Sequence, residues 1–193
     1  MRLCLFGASS DQLAPVYFEK TAELGREMAR RRAGLVFGGG ATGLMGAAAR
    51  AVHQSGGEII GIAPKFFDTE GVLFQSCTEM IFTQTMRQRK QLMEDMSDGF
   101  IVSPGGIGTL EEFFEIYTLR QLSRHKKPIA IYNICGYYDK LLELLQHTVS
   151  EGFMSADCLN LVGVYDEPGP LLDYLAEELQ TALTSKADYS SKK

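Results

Sequence analysis

Residues 99–115 read GFIVSPGGIGTLEEFFE. A short apolar run, 99–103, is stopped by Pro104 and followed by Gly105, Gly106 and Gly108. A helical pattern then begins. Strand, glycine turn, helix: this is the unit from which parallel α/β sheets are built.

The same grammar recurs on both sides. Apolar or β-branched runs at 2–7, 34–38, 58–62, 79–83, 128–132 and 161–165 read as further strands buried on both faces. Amphipathic segments at 14–32, 43–55, 86–97, 109–122, 137–151 and 168–183 read as the intervening helices. In 14–32 the stripe Val16, Ala22, Leu24, Met28, Ala29 opposes a charged face. In 137–151 the expected buried residues are Leu141, Leu142, Leu144, Leu145 and Val149. The alternation implies a doubly wound, mostly parallel α/β sheet.

The chain has 193 residues, enough for one domain with a sizeable core. We expect that domain over 1–183 and an unstructured polar tail, TSKADYSSKK, over 184–193. Net charge is −5, which argues against a nucleic-acid partner. No apolar run approaches a membrane span, and MRLCLFGASS reads as a first strand rather than a signal peptide. Cys4, Cys77, Cys135 and Cys158 form no C-x-x-C pair, with Cys4 and Cys135 expected inside core strands. They read as reduced thiols of a cytoplasmic protein without a zinc site.

In such sheets ligands bind beyond the carboxyl ends of the strands, where the strand order reverses. Three strand ends run into small-residue turns: FGASS, VFGGGATGLMG and VSPGGIGT. The second contains G-x-G-x-x-G at Gly38, Gly40 and Gly43, which serves either a phosphate or close strand–helix packing. A dinucleotide site needs an acidic residue at the end of the next strand, whereas Glu58 starts its strand. A Walker A loop fails for want of G-K-[ST].

The third turn is denser. Thr109-Leu110-Glu111-Glu112 fits a capping box, with Thr109 as N-cap and Glu112 folding back to it. Capping leaves the three preceding glycines without a reason; an anionic ligand supplies one. Between the loops, TQTMRQRKQLMEDM places Arg87, Arg89 and Lys90 at a helix start, where the dipole disfavours cations. A bound anion would offset that cost; a solvated basic face is the commoner reason for such a run.

VFGGGATGLMG, MRQRK and SPGGIGTLEE, followed by QLSRHKKPIAIYNICGYYDKLLE and EGF, resemble the LOG ("Lonely guy") family of cytokinin riboside 5′-monophosphate phosphoribohydrolases. The resemblance runs from residue 2 to about 180. Some members carry an older lysine decarboxylase label, but nothing here resembles a pyridoxal phosphate site. The resemblance implies a Rossmann-like three-layer fold and a homodimer. It implies no metal or organic cofactor. The reaction is hydrolysis of the N-glycosidic bond of a purine nucleoside 5′-monophosphate to free base and ribose 5-phosphate, as in cytokinin biosynthesis.

By the resemblance, the catalytic pair falls on Arg89 and Glu112. The nucleotide site falls on Lys90, Gly105, Gly106, Ile107, Gly108, Thr109, Leu110, Glu111 and Thr118, with Arg89 shared. Glu70 matches a base-proximal glutamate, and Ser9, Gly39 and Gly40 are expected to line the pocket. Where the family has M-H-E-R-K, this chain has Met86-Arg87-Gln88-Arg89-Lys90. Ile107 replaces a tyrosine, and Leu119-Arg120 replaces W-x after Thr118. These departures bear on the base, and AMP is an expected substrate. The alternative function is a nucleotide-binding sensor without turnover. On the hydrolase reading, Glu112 stabilises the cationic ribose and positions water, Arg89 keeps it ionised, and the phosphate rests on Gly105–Thr109. Of the histidines, His125 is expected to be structural, and His53 and His147 to be surface or packing residues.

Overall fold

The computed structural model describes residues 1–190, with side chains through residue 182. Seven strands form one parallel sheet: β1 (Arg2–Phe6), β2 (Gly34–Phe37), β3 (Ile59–Pro64), β4 (Glu79–Thr83), β5 (Gly99–Val102), β6 (Ile129–Tyr132) and β7 (Val162–Tyr165). Their order is β4-β3-β2-β1-β5-β6-β7. From β1 the chain winds outward to β4; it then returns beside β1 with β5 and winds the other way to β7. The order therefore reverses between β1 and β5.

Among the described residues six α-helices cover the sheet: α1 (Pro15–Arg30), α2 (Gly43–Gln54), α3 (Met86–Asp95), α4 (Ile107–Gln121), α5 (Asp139–Ser150) and α6 (Pro168–Ser190). Side chains alternate along each strand, so one strand feeds two cores. Leu3, Leu5, Leu35 and Phe37 pack with Leu24 and Met28 of α1, Val52 of α2 and Leu171 and Leu175 of α6. Cys4, Phe6, Val36 and Val102 pack with Met93 of α3, Phe113 and Tyr117 of α4 and Leu145 of α5. Two helical layers thus sandwich the sheet, the three-layer arrangement expected.

Several details differ from the sequence reading. Helix α5 buries Leu145, but Leu144 is 53% exposed, because the helix packs along a narrower stripe than its leucines suggest. Cys135 lies past β6 in an exposed turn, not in a core strand, and adopts φ 54°. The last helix runs beyond 183, so the expected tail over 184–193 begins within helical backbone; residues 191–193 lie outside the described residues. No helix among the described residues is long and apolar enough to cross a membrane.

The register sets the site. Phe6 pairs with Val102 and Leu5 with Phe37, so β1, β2 and β5 end side by side. The Ala8 N–H donates to Pro104 O at 3.0 Å and ties the first turn to the third. Glu58, just before β3, sits at the opposite edge and pairs with Arg2 at 2.8 Å.

Candidate active site

The three turns enclose a cleft of about 530 Å³ at the reversal in strand order. That is within the usual range for small-molecule sites. Gly7–Ser9 follow β1, Gly38 and Gly40 follow β2, and Gly106–Thr109 open α4. Arg89 from α3 and Glu112 from α4 form its floor.

Helix α4 begins at Ile107, two residues before the expected start. Thr109 is therefore not the N-cap; the cap is Gly106, which has no side chain, and no side chain among the described residues caps the helix. The first turn closes on the Leu110 N–H donating to Gly106 O at 3.0 Å. The capping box expected at Thr109–Glu112 is not formed. Glu112 instead accepts from Arg89 Nη1 at 3.1 Å.

The analogous device sits one helix earlier. Thr85 caps α3 by accepting the Gln88 N–H at 3.2 Å, and Gln88 Oε1 accepts the Gln84 N–H at 3.0 Å. This satisfies one orphan donor of α3, at Gln88, and the N–H that precedes its cap, without a ligand.

The N-terminus of α2 is also occupied. The Gly43 N–H donates to Asp11 Oδ1 at 2.8 Å, and the Leu44 N–H donates to Ala8 O at 2.9 Å. A carboxylate from this chain thus holds the place that a phosphate would take at the G-x-G-x-x-G loop. Among the helices that start at this cleft, α4 alone presents an uncapped positive end.

Arg89 is only 6% exposed. Its Nε donates to Ile62 O of β3 at 3.1 Å while Nη1 reaches Glu112. Three elements therefore fix one guanidinium. Glu112 is nearly as buried, and burial pushes its carboxyl above the usual carboxylate range. The Arg89 charge opposes that shift and favours the ionised form.

Of the other residues expected at the site, Ser9, Gly40, Gly106, Ile107, Gly108 and Thr109 line the cleft. Gly39 turns behind it with φ 79°, and Gly105 packs against Thr109 beneath the turn. Leu110 and Glu111 follow on α4 but do not line it. Lys90 points to the far side of Glu112, where it pairs with Glu111 and, at 2.9 Å, with Glu115. There it borders a second cavity of about 170 Å³, together with Arg87, Gln91 and Glu94. Glu70 is exposed in the loop after β3 and does not line the cleft. Thr118 is exposed on α4, eleven residues past Ile107.

The sequence reading missed the apolar end of the cleft: Met45, Phe67, Val72, Leu73 and Met86. Phe67, Val72 and Leu73 come from the segment between β3 and β4. The Phe74 N–H donates to Gly39 O at 2.8 Å and the Ala41 N–H to Val72 O at 2.9 Å, laying that segment over the β2 turn. Its apolar letters, KFF and GVLF, were the available signal.

His125 is a structural residue. Its Nε2 lies 2.9 Å from Ile116 O and its Nδ1 accepts the Lys127 N–H at 3.2 Å. His53 and His147 are exposed.

Comparisons with known proteins place the chain in a family. A family model described as "Possible lysine decarboxylase" matches residues 45–175. No lysine lines the cleft among the described residues, so the side chain that decarboxylases of the pyridoxal type require is missing there. Cytokinin riboside 5′-monophosphate phosphoribohydrolase LOG7 of Arabidopsis thaliana is 42% identical over 154 residues, covering 80% of this chain and 71% of the relative. The probable phosphoribohydrolase LOGL2 of Oryza sativa subsp. japonica is 38% identical over 176 residues, covering 91% and 72%. Among solved structures, the molybdenum cofactor carrier protein of Chlamydomonas reinhardtii superposes with a TM-score of 0.70 at 20% identity, covering 93% of this chain and 98% of that one. That likeness concerns the fold. With its sequence matched along most of its length to these phosphoribohydrolases, the chain belongs to the LOG family.

Proposed function

We propose that this protein hydrolyses the N-glycosidic bond of purine nucleoside 5′-monophosphates, giving the free base and ribose 5-phosphate. The observation that carries the reading is the buried Arg89–Glu112 pair, one helical turn inside an uncapped helix start. The 5′-phosphate rests on the N–H groups at Gly106–Thr109, at the positive end of α4. Thr109 and Glu112 are three residues apart on one helix and share a face. A nucleotide anchored at the first therefore presents its ribose to the second.

As the C1′–N bond breaks, its electron pair leaves with the base and positive charge develops on the ribose. Glu112 stabilises that charge and takes a proton from the attacking water; the departing base is protonated in turn. Burial raises the Glu112 carboxyl, and the Arg89 charge opposes that shift and favours the ionised form. Fixing the phosphate contributes binding energy remote from the reacting bond and orients the ribose. The apolar end of the cleft, with Met45, Phe67 and Leu73, suits a purine carrying an apolar substituent such as a cytokinin side chain.

We further propose a homodimer in a reducing, cytoplasmic setting, where the four cysteines stay unpaired. Phe114 and Thr118 on α4 and Leu122 at its C-cap form an exposed stripe at four-residue spacing. Thr118 lies roughly 16 Å along the helix from Ile107 at 1.5 Å per residue. That distance supports the reading in which a nucleotide site takes Thr118 from a second copy.

The test is a panel of AMP, GMP, CMP and isopentenyladenosine monophosphate assayed for ribose 5-phosphate. Release from purine nucleotides supports the reading. Calorimetric binding of AMP without product over hours refutes the hydrolase and favours a nucleotide sensor.

A further inference from the structure

The second turn, Gly38-Gly39-Gly40, has no role in the chemistry above, since Asp11 closes the helix that follows it. Its glycines nonetheless answer to different neighbours. A β-carbon on Gly43 would stand 2.3 Å from Ala8 O, and one on Gly46 would stand 2.0 Å from Ala41 O. Those collisions are with backbone, so these two positions hold the fold.

Gly38 is different. A β-carbon there would stand 1.9 Å from Arg89 Nη2 and 3.0 Å from its Cζ, and no backbone atom is among its nearest neighbours. Its backbone is not in the left-handed region that demands glycine. The guanidinium thus rests on the bare α-carbon of Gly38. Ile62 O takes its Nε–H at 3.1 Å, and Glu112 takes its Nη1–H at 3.1 Å. The seat has three sides, drawn from β3, the end of β2 and α4.

We propose that Gly38 is a positioning residue for catalysis: its missing side chain sets the Arg89 guanidinium in register with Glu112. The inference rests on the assignment of Arg89 and Glu112 as the catalytic pair. A methyl group here meets a side-chain tip, not the backbone. The fold survives and the pair does not. Displacements of about 1 Å in a catalytic constellation cost on the order of 100-fold in rate.

The experiment is Gly38→Ala, made in the wild type and in Arg89→Ala. We expect kcat for ribose 5-phosphate release to fall about 100-fold, with KM changed far less. We expect Tm at pH 5 to stay close to wild type, and Tm between pH 5 and 9 to decline more steeply than in wild type, as in Arg89→Ala. In the Arg89→Ala background, Gly38→Ala should change neither rate nor Tm further, because the space is already open. Wild-type kcat in Gly38→Ala overturns the inference. So does an equal loss of Tm in both backgrounds. If the wild type releases no ribose 5-phosphate, the proposed reaction fails. The seat is then decided by the Tm profiles alone: a Gly38→Ala profile parallel to wild type overturns it, and one that follows Arg89→Ala upholds it.

Discussion

Replacing Arg89 by alanine separates what this side chain does for the fold from what it does for the chemistry. The variant leaves a carboxylate that is itself nearly buried without its cation, and Ile62 O without its donor. Removing one partner of a buried pair costs about 3–5 kcal/mol. At roughly 2–4 °C per kcal/mol for a chain of this size, Tm should fall by roughly 10 °C. The loss has a defined pH dependence. Burial already raises the Glu112 carboxyl above its unfolded value, and losing the Arg89 charge raises it further. A carboxyl raised on folding destabilises the folded state when ionised, at high pH, and the penalty is relieved as pH falls through the folded value. The Tm deficit should therefore be large at pH 8 and shrink toward pH 5. The activity should fall about 10²- to 10³-fold. The acid limb of the residual pH–rate profile should move toward neutral pH, from a wild-type limb already above the ordinary glutamate value. The assays are ribose 5-phosphate release and thermal unfolding across pH. A limb at the wild-type position, with a Tm deficit independent of pH, would refute the claim that Arg89 holds Glu112 ionised.

Two further predictions concern the scaffold. Phe113, fully buried and stacked on Tyr117 at 5.4 Å, adjoins Glu112 on the core side of α4; Phe113→Ala should cost about 3–5 kcal/mol, read as a lower midpoint in urea. Burial pushes the His125 imidazole below its ordinary value, and its Nδ1 must stay unprotonated to accept the Lys127 N–H. A group with a depressed folded value contributes stability that is present above its unfolded value and lost as pH falls below it. In His125→Gln, Tm should accordingly decline less between pH 6.5 and 5 than in wild type; parallel profiles would remove His125 from the pH response.

The strands and helices were legible because each buried strand is a short apolar run and each helix has an amphipathic face. The edge at which the glycine turns meet followed from the parallel order alone. The start of α4 was not legible. A capping rule looks for an oxygen-bearing side chain, and Thr109 with Glu112 offered one, whereas the actual cap is Gly106. Thr85 and Gln88, which do perform capping, stood in a basic stretch that drew attention to charge instead. Local pattern could not show that Asp11 occupies the start of α2, since the two lie 32 residues apart. Nor could it place Lys90, whose direction depends on Glu111 and Glu115 across the helix packing. The pairing of Arg89 with Glu112 came from the family resemblance, because nothing local to either residue points to the other.

The measurement that bears most directly on the account is turnover by Glu112→Gln. Glutamine keeps the shape and can still accept from Arg89, but it cannot carry charge or take a proton. Wild-type protein should release free base and ribose 5-phosphate in equal amounts from a purine nucleoside 5′-monophosphate. Glu112→Gln should bind the same nucleotide and unfold at a similar temperature while losing on the order of 10³-fold in kcat. Turnover at the wild-type rate in a variant that has lost only stability would contradict it.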